Sequence, residues 1–170
     1  MSPWLLIHTK IRQERKALEN LERQGFECFL PLTRAERPHH GALEVVEEAL
    51  FPRYLFVRPR HGLEPGSWEP IRSTAGVSRV VALGQMLATV DDELIMALRA
   101  KTSPAAMQLH HLEPGEAVAL PNEPFLGMEA VYQMADGERR VLVMLDVLSK
   151  LMKMAVTPKG IRKDWALGAS

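Results

Sequence analysis

The run Leu50-Phe51-Pro52-Arg53-Tyr54-Leu55-Phe56-Val57 sets three aromatic side chains within six positions. Read as a strand, it sends Tyr54 and Phe56 to one face and Leu55 and Val57 to the other. Both faces are apolar, so both need cover. Two arrangements provide it. The strand is central and sandwiched between helices of its own domain, or one of its faces is closed by something outside that domain.

The elements around it alternate. Trp4-Leu5-Leu6-Ile7 predicts a buried first strand, and Lys10 to Gln24 a helix stopped by Gly25. Phe26 to Leu30 predicts a second strand, ended by Pro31; Tyr54 to Val57 is the third and Val77 to Leu83 the fourth. Arg34 to Ala49, with Pro38-His39-His40-Gly41 at its tip, predicts a long exposed hairpin. Trp68 to Ser73 predicts a short helix, and Asp91 caps another with Leu94, Ile95 and Leu98 on one face. The order β-α-β-β-α-β predicts an α/β (α+β) N-terminal domain, a small antiparallel sheet flanked by helices. Two prolines and a glycine between Lys101 and Gly115 place the boundary there. The expected division is 1–101, a linker at 102–113, and a C-terminal unit at 114–170.

That C-terminal unit fits two periods. Gly115 to Leu120 and Phe125 to Tyr132 read as short strands, Asp136-Gly137 as a hairpin turn, and Val141, Val143, Leu145 and Val147 as one face of a further strand. Leu151 to Val156 reads as the next strand. Together these make a small five-stranded barrel. Read instead as a helix, 141–156 gathers Asp146, Ser149, Lys150 and Lys153 into one polar stripe, with Leu142 to Leu145, Leu148, Leu151, Met152 and Met154 over the remainder. So wide an apolar face needs a partner surface, and the cluster around Tyr54 and Phe56 is a candidate.

Composition narrows the function. The 170 residues carry 21 basic and 21 acidic side chains, so a generic polyanion binder is disfavoured and nucleic-acid contact must come from a local patch. One cysteine, Cys28, rules out an internal disulfide and a multi-cysteine metal site, and fits a reducing cytoplasm. Met1 to Ile7 lacks the basic start of a signal peptide, and no apolar run is long enough to span a bilayer. His39-His40 and His110-His111 are adjacent pairs without ligand spacing, and Asp91-Asp92-Glu93 reads as a helix start. With no phosphate loop, dinucleotide fingerprint or nucleophile elbow, no enzyme, metal or cofactor is expected.

One patch does stand out. On a helical wheel from Lys10, Arg12, Gln13, Lys16, Asn20, Arg23 and Gln24 fall in a sector of about 120° that holds no carboxylate. Arginine pairs with guanine or phosphate, and Asn or Gln with adenine. A plain solvated face has the same composition, so both readings stay open.

These residues resemble the NusG family of transcription elongation factors. The resemblance runs from Trp4 to Lys163 and is carried by Trp4, Glu14 to Glu22, FLP at 29–31, LFPRYLFV at 50–57, STAGVSRVV at 73–81, and the KOW-like GEAVALPNEPFLGMEAV at 115–131. Within the family it is greatest to the specialised RfaH paralogues, through ENLERQ at 19–24, Glu48 before LFPRYLFV, and DGERR at 136–140. The resemblance implies a monomeric factor that binds the clamp helices of RNA polymerase through His8, Phe51, Tyr54, Phe56 and Ile95, and so reduces pausing and termination. It implies contact with non-template single-stranded DNA through Lys10, Arg12, Lys16, Asn20, Arg23 and Gln24, with Thr74 and Gly76 in a later loop. That loop reads Thr74-Ala75-Gly76 where the paralogues carry Thr-Arg-Gly, leaving Arg72 or Arg79 to supply the cation. The gate-loop motif His-Thr-Thr has no counterpart near Ser67-Trp68-Glu69. An ion pair between Glu48 and Arg140 is implied across the two domains. The C-terminal unit is then either an α-helical hairpin masking the polymerase surface or a barrel that recruits a ribosome through a small-subunit ribosomal protein.

Overall fold

The computed structural model describes residues 3–60, 68–102, 131, 134 and 136–156, with side chains of the last segment to 152. Its centre is an antiparallel sheet built on β1 (Trp4–Thr9) and β5 (Tyr54–Pro59). Leu5 faces Val57, Leu6 faces Phe56, Ile7 faces Leu55 and His8 faces Tyr54. β2 (Phe26–Phe29) extends the sheet beyond β5. On the other edge of β1 the partner changes along its length. β9 (Thr89–Val90) pairs with Trp4 and Leu5, and β6 (Val77–Val80) with Ile7 to Thr9. The expected mixed α and β chain with an antiparallel sheet is what folds.

Two separate clusters line the two faces. Leu5, Ile7, Leu55 and Val57 pack with Ala17 and Leu21 of α1 (Glu14–Arg23) and with Ile71 of α2 (Glu69–Arg72). Trp4, Leu6, Tyr54 and Phe56 pack with Leu94, Ile95 and Leu98 of α3 (Asp92–Thr102) and with Met144, Val147, Leu148 and Met152 of α4 (Gly137–Val156). The alternation read from the sequence is thus realised residue by residue. The segment beyond the predicted domain boundary supplies part of the cover on the second face.

β3 (Leu32–His39) and β4 (Ala42–Ala49) form the expected hairpin, a ribbon apart from the main sheet. Its two-residue turn, His40-Gly41, has φ of +48° and +79°, the left-handed pair that matches ribbon twist. The predicted fourth strand is shorter than expected. β6 ends at Val80, and β7 (Ala82–Leu83) turns back onto β8 (Met86–Leu87). Neither β8 nor β9 was foreseen, because two residues are too few to show a period.

Three sequence expectations need correcting. The first helix begins at Glu14, not Lys10: Arg12 has φ of +58°, and the Gln13 N–H closes a turn on Lys10 O. The chain must reverse on leaving β1 to lay α1 back across the sheet, so Lys10 and Arg12 lie in that reversal. Asp136-Gly137 is not a hairpin turn but the start of α4. Asp136 accepts the Glu138 N–H through Oδ1 at 2.9 Å, and its carbonyl accepts the Arg140 N–H. A carboxylate offered to first-turn N–H groups satisfies donors that the helix cannot. Leu142, expected on the apolar arc, is 66% exposed; the buried side runs through Arg140, Met144, Val147, Leu148 and Met152, positions that share one helix face. The KOW-like segment 115–130 and the linker beyond Thr102 lie outside the described residues.

Two glycines fix how the helices sit. A Cβ at Gly76, whose φ is +95°, would stand 2.8 Å from the Ala17 backbone nitrogen. Gly76→Ala is expected to destabilise the chain by about 2 kcal/mol or more, the left-handed penalty plus loss of close approach, read as a lower urea midpoint. A Cβ at Gly137 would stand 2.6 Å from Pro52 Cγ. Gly137→Val is expected to lift α4 off the sheet while leaving β1 and β5 intact, seen as chemical-shift changes at Tyr54 and Met144 but not at Leu55. An unmoved Tyr54 would rule this out.

Candidate functional site

The aromatic face comes first because its geometry limits what can reach it. Phe51, Phe56 and Ile95 are essentially without exposure and Tyr54 is 9% exposed, all in the cluster shared with α4. Phe56 lies between Phe29 and Phe51, with ring centroids 6.1 Å and 6.5 Å away. His8 stands opposite Tyr54 with its ring 5.0 Å off. Its Nδ1 is buried without a partner among the described residues. Burial, then the nearby Arg53 and Arg79 guanidiniums, pull its pKa below the ordinary value, so His8 is neutral at neutral pH. The five residues singled out for polymerase contact therefore lie in one neighbourhood.

α4 holds this face by apolar area and by one charged group. Met144, Val147, Leu148 and Met152 are each buried, at roughly 1.5–3 kcal/mol gross apiece. Arg140 is 3% exposed, and among the described residues its guanidinium reaches three acceptors. Nε donates to Leu50 O at 2.6 Å, Nη1 to Met134 O at 2.8 Å, and Nη2 to Glu48 Oε1 at 3.2 Å. Burial pushes the Glu48 carboxyl up, but hydrogen bonds from Arg37 and Arg140, with their charges, outweigh it and leave the pKa below the usual value. The charge contact is smaller than the apolar sum, so it adjusts docking rather than causing it. A crevice of about 630 Å³ opens beside this contact, between the hairpin base, the start of α1 and the first turn of α4.

A second group of residues gathers on the opposite side of the sheet. Lys16, Asn20, Arg23 and Gln24 keep to about 100° of α1 and its C-cap. Gln24 Nε2 donates to Thr74 Oγ1 at 2.7 Å, and Asn20 Nδ2 to Ala75 O at 3.2 Å. Lys10 joins through its backbone, donating N–H to Gly76 O at 2.9 Å. The α1 residues and the 74–76 loop thus form one surface, with Arg23 and Lys16 exposed on it. Thr74 is 6% exposed and donates its hydroxyl to Pro70 O. Arg72 is exposed in the neighbouring α2, and Arg12 lies off the helix in the preceding turn.

Other chemistry is limited. Among the described residues no three His, Cys, Asp or Glu side chains gather as a metal site. His39 does find an acid, Glu44 Oε2 at 3.3 Å across the ribbon, which sequence spacing did not reveal. Burial pushes the Cys28 thiol up to about 12, so it is no nucleophile. Among the described residues, no helix is long and apolar enough to cross a membrane.

Sequence reasoning missed one cluster entirely. Arg58 donates to Asp92 Oδ1 at 2.6 Å and to Glu27 Oε2 at 2.7 Å, and lies 4.5 Å over the Trp4 ring. Trp4 Nε1–H donates to the same Asp92 oxygen at 2.8 Å, and Arg99 covers both Trp4 and Phe29. The hydrogen bond from Arg58 holds Glu27 below its ordinary pKa, and the one from Trp4 does so for Asp92. The cluster fixes both ends of α3 over the aromatic face.

Comparison with known proteins agrees in the half that carries the sheet. A family described as "Transcription termination factor nusG" matches residues 2–99. A relative named "Transcription termination/antitermination protein NusG" from Thermus thermophilus is 35% identical over 94 residues, 48% of this chain and 51% of that protein. The chain thus spans about half the length of this relative in the match. A protein of the same name from Chlamydia pneumoniae is 27% identical over 163 residues, 88% of each chain. A solved structure titled "Domain interaction in Thermotoga maritima NusG" is 20% identical with a TM-score of 0.41, covering 71% of this chain and 67% of that one. With more than half of its residues inside the family match, the chain belongs to the NusG family.

Proposed function

We propose that this chain is an operon-specific transcription elongation and antitermination factor that docks on the clamp helices of RNA polymerase through its aromatic sheet face. The observation that carries the reading is the burial of Phe51, Phe56 and Ile95 in the cluster shared with α4. A partner reaches that face only after α4 leaves. A general NusG-type factor would keep a constitutive barrel in the C-terminal half, so a helix packed over this face favours the specialised RfaH-like reading. Release comes when the α1 surface with Thr74 and Gly76 meets exposed non-template DNA. Arg23 and Lys16 supply charge there, and Asn20 and Gln24 supply amides for base edges.

Once released, α4 loses the apolar surface that makes a helix of its composition worthwhile. Its second period, Val141, Val143, Leu145 and Val147 on one face, then favours a barrel made from residues 114–170. That barrel recruits a ribosome through a small-subunit ribosomal protein. The factor acts as a monomer in the cytoplasm.

Glu48→Ser is expected to raise affinity for core polymerase about tenfold, since it removes a partner from a buried guanidinium. Tyr54→Ala placed in that background is expected to return affinity to the wild-type level or below, by about 2 kcal/mol if Tyr54 anchors the contact. Fluorescence anisotropy with labelled polymerase measures both, and equal affinity in wild type and Glu48→Ser removes the masking idea.

Arg23→Ala is expected to cost about 1–3 kcal/mol in recruitment to polymerase halted at a preferred sequence, with smaller losses elsewhere, if it reads a base. An equal loss at every sequence, with a salt slope lower by about 1, assigns Arg23 to phosphate alone.

A further inference from the structure

Glu48 does not belong to Arg140 alone. Arg37 stands on the same face of the β3–β4 ribbon and grips the carboxylate through both oxygens, Nη2 to Oε1 at 2.6 Å and Nε to Oε2 at 3.1 Å. Arg140 reaches the same Oε1 by a single bond at 3.2 Å. One negative charge thus meets two guanidiniums on a shared oxygen. The two-pronged bond goes to Arg37, whose side chain is 46% exposed, and the single longer one to Arg140, which is 4% exposed.

We propose that Arg37 is a positioning residue that sets how firmly α4 is held, by dividing the charge of Glu48 and weakening its pull on Arg140. The proposal rests on the reading that α4 is a removable cover. Two effects act in the same direction. While α4 is docked, the Arg37 and Arg140 guanidiniums repel each other across the shared oxygen. When α4 leaves, Glu48 keeps a bidentate partner and is not stranded as a bare carboxylate at the ribbon base. Both favour the undocked chain. Arg37 also orients the Glu48 side chain toward Arg140, which works the other way. The Arg140 guanidinium is itself held in place by Leu50 O and Met134 O, so the pair depends little on Glu48 being ordered beforehand and that orienting effect is the smaller. The ribbon, otherwise apart from the sheet, thereby becomes the adjusting element of the cover.

Hydrogen–deuterium exchange of the full chain, followed at the α4 amides 140–152 with the β1 amides as internal control, tests this. Glu48→Gln is expected to speed α4 exchange about tenfold. Arg37→Gln is expected to slow it about threefold or more at low salt. Arg37→Lys keeps the charge and is expected to stay within about twofold of wild type, and the Arg37→Gln effect is expected to shrink in about 0.5 M salt, where the repulsion is screened. If Glu48→Gln speeds exchange while Arg37→Gln speeds it or leaves it unchanged, the proposal falls and the cover remains. A slowing by Arg37→Gln that Lys does not reverse, or that salt does not reduce, also overturns it. If Glu48→Gln leaves α4 exchange unmoved, the cover itself is wrong.

Discussion

The alternation along β5 sends Leu55 and Val57 one way and Tyr54 and Phe56 the other, and neither pair tolerates water. The first pair is met by α1 and α2, elements of the same N-terminal half, which pack through Ala17, Leu21 and Ile71. The second pair is wider and more aromatic. α3 covers part of it, and α4, from beyond the predicted boundary, supplies four more buried side chains. The molecule is arranged around that asymmetry, one face closed within the N-terminal half and the other shared with a segment from beyond it.

What was legible follows from how the signals work. Two-residue alternation named both faces of β5, and the unbroken apolar run Trp4 to Ile7 gave β1 as a buried strand. The turn residues at 38–41 gave the ribbon, and apolar spacing at Leu94, Ile95 and Leu98 gave the buried side of α3. Periodicity left 141–156 open between helix and strand because Leu, Met and Val fill both patterns. In the structure Asp136 caps the first turn and Arg140 finds buried acceptors, and both devices fit only the helical form. Neither leaves a trace in hydrophobic patterning.

The candidate sites were legible in part. Lys16, Asn20, Arg23 and Gln24 keep the acid-free face, while Arg12 leaves it, because a left-handed residue before the helix cannot be read from a helical wheel. The bond from Gln24 to Thr74 joins positions fifty apart, beyond any local period. The Trp4–Arg58–Asp92 cluster was invisible for the same reason: its members come from three elements, and each alone is an ordinary surface residue or strand start. Glu48 and Arg140 were paired through family resemblance, whereas Arg37 became evident only when its two bonds to Glu48 could be measured.

The hold on α4 is mostly apolar area with a charged contact at one end, and that composition would give the proposed undocking the thermodynamics of a small unfolding reaction. Separating Met144, Val147, Leu148 and Met152 from the aromatic face hydrates apolar surface and raises the heat capacity. The free energy of the docked arrangement is then curved in temperature. It is greatest at a moderate temperature and smaller on either side, since apolar cohesion fades on cooling and chain entropy grows on warming. Under the proposed release of α4, the fraction of open chain would therefore shift with temperature without any change of sequence or partner.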